Sequence, residues 1–338
     1  MAVTIRDVAK RCGMSISTVS KVFNGYVDIS AQTRDEVMRV AREIGYQPNA
    51  IARALKTHRT YNVGVLFVGD SLSGITHPFF ASVLNAFKAE AEHQGYDITF
   101  INHRLGERPM TYLEHCRYRR VDGVCLACVD FYSDEVRELL DSDIPCVTVD
   151  YVREGSAAVC SDNEGGAKLL VEYAASLGHR RVAFIHGQRN SEVTEARIHS
   201  YLSAMEDRGL PVPEGYLTEG RYDDVPVVRR AVRAMLARDD APTCVLLPDD
   251  ASYLGALEAA QAAGLRVPED LSLAGYDGIR LTQTLRPRLT TVRQHSEAMG
   301  REAALRLIDA IAHPHAAPEV VRIPVELVEG QTVAALKN

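Results

Sequence analysis

Six aspartates stand where a strand-like apolar run has just ended. Asp70 follows "NVGVLFVG", Asp130 follows "DGVCLACV" and Asp150 closes "PCVTVD"; Asp249 and Asp250 close "CVLLPDD", and Asp277 closes "LSLAGYD". Such runs recur at roughly thirty-residue intervals from Asn62 onward, with helical patterns between them. Strand–helix alternation of this kind builds parallel, doubly wound sheets. In those sheets ligands bind beyond the carboxyl ends of the strands, so these carboxylates are placed to accept hydrogen bonds from vicinal hydroxyls. Each could instead cap the helix that follows it. Asp162, ahead of "NEGGAKLL", reads as such a cap.

A different chemistry sits at the front of the chain. Net charge is −7 over 338 residues, which by itself argues against nucleic acid. Its distribution reverses that reading: residues 1–60 carry ten Lys/Arg against five Asp/Glu, and the remainder 28 against 40. A basic head on an acidic body implies a small module that meets phosphate and a large one that does not.

The elements that would position the basic groups follow from periodicity. Thr4 with Asp7 is a capping-box-like start, and Ile5, Val8, Ala9 and Cys12 fall on one helical face ahead of a stop at Gly13. Ser15 can cap a second helix with Val19, Val22 and Phe23 inward. A third begins near Ser30 and buries Val37, Val40, Ala41 and Ile44 before Gly45. Two helices joined at a glycine and braced by a third make a helix-turn-helix. The second helix turns Ile16, Ser17, Ser20, Lys21 and Asn24 outward, small hydroxyls and a cation suited to a major groove. An ordinary solvated face is the plainer alternative. Next comes "YQPNAIARALKTHRT", in which Pro48 fits a first helical turn and "NAIARALK" favours helix. Eight residues are too few to hold a helix alone. Arg53, Leu55 and Lys56 are the equipment of a minor-groove wedge, or of a linker whose leucine packs on the next domain.

Other functions find little support. The chain has no G-x-S-x-G, no G-x-x-x-x-G-K, no H-E-x-x-H and no G-x-G-x-x-G, so no catalytic, metal or cofactor motif is expected. Cys125 and Cys128 form a C-x-x-C inside an apolar run without a second ligand pair, and read as buried reduced thiols. With neither a signal-peptide core nor a membrane-spanning run, the expected location is the cytoplasm, with no membrane partner.

Taken together, "TIRDVAKRCGMSISTVSKVFNG", "YQPNAIARAL" and the "VGVLF" strand resemble the lactose-repressor (LacI/GalR) family of bacterial transcription regulators. The similarity continues through "DGVCLAC", "GHRRVAFIHG", "LAGYDG" and "LTTVRQ", over essentially the whole chain. It implies an all-α helix-turn-helix domain at residues 1–47 and a hinge helix and linker at 48–60. A two-lobed, periplasmic-binding-protein-like α/β domain of parallel doubly wound sheets would fill 61–338. Lobe 1 would take about 61–161 and a returning segment near 293–322; lobe 2 would take 162–292 and 323–338.

For the head, the resemblance implies base contacts from Ile16, Ser17 and Lys21. Phosphate contacts would come from Ser15, Thr18, Ser20, Asn24, Thr33, Tyr46 and Asn49, and a minor-groove hinge from Ala54, Leu55 and Lys56. Ile16 departs from the polar or aromatic reader of many members; it would sense a thymine methyl or add little specificity. For the body, it implies an effector site of Phe79, Phe80, Asp130, Asp150, Arg197, Tyr222, Asp250 and Asp277, with aromatic faces stacking on a sugar ring. The expected partners are a pseudo-palindromic double-stranded operator, a small effector such as a sugar, and a second copy in a homodimer. A soluble carbohydrate-binding protein or sugar enzyme retaining the head, or a regulator answering to a protein partner, are the rival readings.

Overall fold

The computed structural model describes residues 3–23, 25–47, 59–69 and 74–336. The chain divides into two units, Met1–Tyr61 and Asn62–Asn338.

In the first unit α1 (Ile5–Cys12), α2 (Ile16–Phe23) and α3 (Ala31–Glu43) enclose a small core of Val8, Ala9, Val19, Val22, Val37, Val40 and Ala41. Local chemistry fixes the start of each helix and the end of the first. The Asp7 carboxylate accepts from both the Thr4 N–H (2.8 Å) and the Thr4 hydroxyl (2.7 Å), holding the start of α1. Gly13 ends that helix at φ 67°, a conformation that costs glycine little. Ser15 accepts from the Thr18 N–H (3.0 Å) and Ser30 from the Thr33 N–H (3.1 Å), capping α2 and α3.

The second unit opens with β1 (Asn62–Phe67), α4 (Pro78–His93), β2 (Asp97–Phe100) and a short hairpin of β3 (Arg104–Leu105) and β4 (Arg108–Pro109). Then come α5 (Tyr112–Arg119), β5 (Gly123–Ala127), α6 (Asp134–Leu140), β6 (Cys146–Val149) and β7 (Ala157–Ser161). The second lobe runs through α7 (Asn163–Ser176), β8 (Val182–His186), α8 (Glu192–Asp207), β9 (Leu217–Glu219), α9 (Val225–Leu236) and β10 (Cys244–Leu246). It continues with α10 (Tyr253–Ala262), β11 (Ser272–Asp277), α11 (Arg280–Thr284) and β12 (Thr290–Gln294). Last are α12 (Ser296–Ala312), β13 (Val320–Ile323) and β14 (Val325–Val328).

These strands form two six-stranded sheets, ordered β13-β7-β6-β5-β1-β2 and β14-β12-β11-β10-β8-β9. The first is parallel throughout; in the second, β14 runs antiparallel to β12. The chain crosses between lobes at β7–α7, at β12–α12 and at β13–β14. The last crossing falls at Pro324, between β13 and β14. Pro324 has no N–H to extend a ladder, so the run breaks there and its halves join different sheets. Helix α12 returns to the first lobe and packs on α4. Gly300 permits this approach, since a Cβ there would stand 2.1 Å from the Val83 carbonyl oxygen.

Cys125 lies buried within β5, where desolvation lifts its thiol to about 12, as an inert core residue would require. Among the described residues no His/Cys/Asp/Glu group could hold a metal ion, and no helix is long and apolar enough to cross a membrane.

Candidate DNA-contacting face and effector pocket

On the head, α2 presents its outer face as the helical phase requires. Ile16 is 46% exposed and Ser17 is exposed, while Val19 and Val22 are buried beneath them. Lys21 is half-buried and paired with Asp28 at 2.6 Å, so a base or phosphate would have to displace that carboxylate. The exchange is cheap, because an exposed pair of this kind adds little to stability. Ser15 and Thr18 share a 2.9 Å contact at the start of α2, and Thr33 accepts from the Ser30 hydroxyl at 2.9 Å at the start of α3. Both positions put hydroxyls and N–H groups at helix N-termini, where phosphate is favoured. Ser20 is half-buried, and Tyr46 leans its ring on Phe23 with centroids 5.2 Å apart. Asn24, Asn49, Ala54, Leu55 and Lys56, like Asp70, lie outside the described residues.

In the body the candidate effector pocket is a buried polar cluster around Arg197. This residue sits on α8, is 4% exposed, and donates from Nε to Asn163 Oδ1 (2.9 Å) and from Nη1 to the Pro248 carbonyl (3.2 Å). Its guanidinium lies 3.5 Å from the Tyr276 ring centre and 5.8 Å from that of Tyr222. Asp150 and Asp277 both act on its charge, one from each lobe, which favours the cation that burial opposes.

The two carboxylates are aimed by unusual backbone. Asp150 has φ 57° and Asp277 φ 109°, conformations that L-residues seldom adopt. The turn lets Asp150 accept from the Ser161 N–H (2.7 Å) and lets Asp277 accept from Gln294 Nε2 (2.6 Å). Both therefore bond to residues at inter-lobe crossings. Burial pushes the Asp150 carboxyl up to about 6, against the pull of the Ser161 N–H and Arg197. Asp277 is raised well above the ordinary range for the same reason, with Arg197 opposing.

Tyr222 fixes its hydroxyl on Thr194 at 2.9 Å, and its ring lies over Gly187 just beyond β8. A Cβ at 187 would sit 2.1 Å from that ring, so the "HG" of "FIHG" is what admits it.

Three expected effector residues fall elsewhere. Asp250 is fully buried, and its carboxylate is already taken by the Thr291 hydroxyl (2.5 Å), the Thr282 hydroxyl (2.8 Å) and the Ile279 N–H (2.9 Å). It ties β12 and the start of α11 to the end of β10 and has no acceptor capacity aimed at a ligand. Its neighbour Asp249, also buried, accepts from the Asp223 N–H and from the Ser252 N–H (2.8 Å), and acts on Tyr222 and Asp277. Burial raises Asp249 as it does Asp277. Phe79 is core, because it heads the buried stripe Phe79, Val83, Phe87 and Ala91 along α4. Phe80 is the ring left beside His77, at 5.5 Å. Asp130 is exposed and folds back on its own loop, accepting from the Tyr132 N–H (2.9 Å); it lines a cavity of about 300 Å³ with His103, Tyr112 and Cys128. Asp162 caps α7 as expected, accepting from the Gly165 N–H (2.9 Å).

Asp249, one of the strand-end carboxylates, joins this candidate pocket, and Asn163, Gln294, His77 and Tyr276 complete it without having been expected there from sequence. Several of its buried polar atoms have no hydrogen-bond partner among the described residues: His77 Nδ1, Ser161 Oγ, Tyr276 Oη and Gln294 Oε1. Orphaned polar atoms in such a place are costly unless a ligand or water meets them.

A helix-turn-helix head followed by two doubly wound lobes with a polar pocket between them defines a ligand-responsive DNA-binding regulator. The comparisons agree with that class and narrow it. Residues 4–49 match the model of bacterial regulatory proteins of the lacI family, and residues 171–333 match a periplasmic binding protein-like domain. The chain is 33% identical to the HTH-type transcriptional repressor PurR of Proteus mirabilis, covering 98% of this chain and 97% of that one. It is 32% identical to PurR of Vibrio atlanticus, covering 98% and 99%. Among solved structures it is similar to the lac repressor dimer bound to operator and the anti-inducer ONPF, with TM-score 0.81 and 26% identity over 99% of this chain and 100% of that one. It is also similar to a complex of the transcriptional regulator CelR with cellobiose, with TM-score 0.72 and 28% identity over 98% and 99%. The chain belongs to the lacI family of bacterial regulatory proteins, and is a DNA-binding transcriptional regulator with a small-molecule effector.

Proposed function

We propose that this protein is a cytoplasmic, non-enzymatic repressor that grips its operator as a homodimer and answers to a neutral sugar in the Arg197 pocket. The observation that carries the effector class is the pocket's inventory. Two carboxylates, Asp150 and Asp277, act on a single guanidinium, and Arg197 already donates to Asn163 and Pro248. Such a site is rich in hydrogen-bonding groups, and its one cation is already engaged. It favours a ligand with many hydroxyl donors and no negative charge, and disfavours sugar phosphates and other anions. Tyr222 supplies an apolar face for a ring.

Base contact by Ile16, Ser17 and Lys21, and phosphate contact by Ser15, Thr18, Ser20, Thr33 and Tyr46, suit the exposed ends of α2 and α3. Residues 48–60 would form the hinge helix and linker, with Leu55 as the wedge that makes head and body one switch. The dimer is supported by large apolar residues left exposed on both lobes, Phe100 and Tyr118 on the first and Leu254 and Leu281 on the second.

A thermal-shift screen of the full chain against neutral mono- and disaccharides, sugar phosphates and nucleosides tests the effector class. A neutral sugar at about 100 times its dissociation constant should add about 2.7 kcal/mol of stability, and its phosphate ester none. A response to nucleosides or sugar phosphates alone would contradict the reading.

A further inference from the structure

We propose that Lys21 and Asp28 act as one unit that reads a G·C pair in each half of the operator, Lys21 donating to guanine and Asp28 accepting from cytosine. The inference rests on the reading of Lys21 as a base contact, and extends it to a second residue and to the base pair that the two select.

The unit is assembled by the turn that joins α2 to α3. Lys21 lies in the last turn of α2, and its Nζ donates to Asp28 Oδ2 at 2.6 Å. The same ammonium stands 5.9 Å from the ring centre of Tyr26, which is half-exposed. The backbone of the turn is tied down. The Gly25 N–H donates to the Val22 carbonyl and the Tyr26 N–H to the Lys21 carbonyl, both at 3.1 Å, and Arg34 Nη2 donates to the Tyr26 carbonyl at 3.1 Å. Ile29 packs on the core of the head and Ser30 caps α3, so Asp28 sits between fixed points. Each partner keeps the other charged: their shared hydrogen bond holds the Asp28 carboxyl below its ordinary value and the Lys21 ammonium above its own.

Stability does not explain this pair. Its side chains are 41% and 54% exposed, and ion pairs in contact with water contribute little. What it offers is a cationic donor and an anionic acceptor side by side next to the exposed face of α2. The major-groove edge of a G·C pair presents the matching array, since O6 and N7 of guanine accept and N4 of cytosine donates. Guanine O6 and cytosine N4 are themselves hydrogen-bonded at about 2.9 Å, close to the spacing within the ion pair. A G·C edge can therefore take over both partners at once, leaving neither charge unmet. A phosphate takes only the lysine and leaves Asp28 facing a like charge. On an unrelated duplex the pair stays closed, a neutral unit that adds nothing to binding.

Fluorescence anisotropy of the full chain tests this on an operator selected from random duplexes, on its single-pair substitutions and on an unrelated duplex. Lys21→Ala should relax preference at one symmetric position, and the preferred pair there should be G·C. Asp28→Ala should reduce the preference for G·C at that same position roughly 5- to 10-fold with melting temperature unchanged; Asp28→Glu, which keeps the carboxylate, should retain most of it. The lysine freed by Asp28→Ala should also tighten binding to the unrelated duplex and steepen its logarithmic salt dependence by about 0.9 for each head. A preferred pair other than G·C at the Lys21 position, a preference there untouched by Asp28→Ala, or an unchanged salt dependence would overturn the joint reading while leaving Lys21 a base contact. Uniform weakening of every duplex by Lys21→Ala would overturn both.

Discussion

The candidate DNA-contacting face and the candidate effector pocket are built on opposite principles. The side chains of the face are exposed or half-buried, and several bond close by in sequence, as Ser15 does to Thr18 and Lys21 to Asp28. The pocket is concave and buried, and its members depend on one another across both lobes, as Arg197, Asn163, Asp150 and Asp277 do. Changes on the face should therefore act one at a time and leave folding alone, whereas changes in the pocket should be coupled and should tax stability.

That contrast can be broken at four places. The largest effect is expected at Arg197. Arg197→Met leaves Asp150 and Asp277 without their cation, and should cost roughly 3–5 kcal/mol of stability in urea unfolding together with all effector binding. A variant that melts like the parent would mean the carboxylates are neutralised some other way.

Asp250→Ala comes next, since it strands the Thr282 and Thr291 hydroxyls and the Ile279 N–H. A loss of about 2–4 kcal/mol is expected from these unmet donors. Loss of effector affinity without loss of stability would return Asp250 to the pocket.

The pH dependence of Asp150 sharpens the comparison further. Its folded carboxyl, about 6 against 3.8, binds a proton more tightly than the unfolded chain does. The stability it confers is thus complete below about pH 3.8, falls as pH rises, and is gone above about 6. Asp150→Asn should lose roughly 1–3 kcal/mol less than the parent between pH 4 and pH 7 in ligand-free unfolding titrations. Identical pH profiles would contradict the burial that raises this carboxyl.

On the face, Lys21→Ala should weaken binding to the preferred operator roughly 5- to 100-fold and relax preference at one symmetric base pair, with melting temperature and effector affinity unchanged. Uniform weakening on every duplex would make Lys21 a phosphate contact.

The same contrast explains what was legible from sequence. Every core position of the head was, because a 3.6-residue period repeats through Ile5, Val8, Ala9 and Cys12 and again through α2 and α3, and a helix carries its phase to its last residue. In the body, strands and their carboxyl-end aspartates were legible for a similar reason. Which aspartate faces the ligand was not: β10 ends at Leu246, and alternation is lost before Asp249 and Asp250. Asn163 and Gln294 were missed because their role arises where the chain passes between lobes, a property of the assembled fold. The weak signal was a polar residue directly after a strand in "CSDN" and at the end of "TTVRQ". For the adjacent aromatics in "PFF" a core role was open as well as a ligand-facing one, and the spacing of four from Phe79 to Val83 and Phe87 is the signal that puts Phe79 in the core.

Occupancy of the Arg197 pocket should set the affinity of the head for its operator. Fluorescence anisotropy of the full chain on an operator selected from random duplexes, with and without the sugar found by the screen, measures this directly. The sugar should change operator affinity by about 5- to 150-fold, and Asp277→Asn should abolish the change while keeping sugar-free operator affinity within about twofold of the parent. A saturating sugar that leaves operator affinity unchanged, or an Asp277→Asn variant that responds as the parent does, would contradict it.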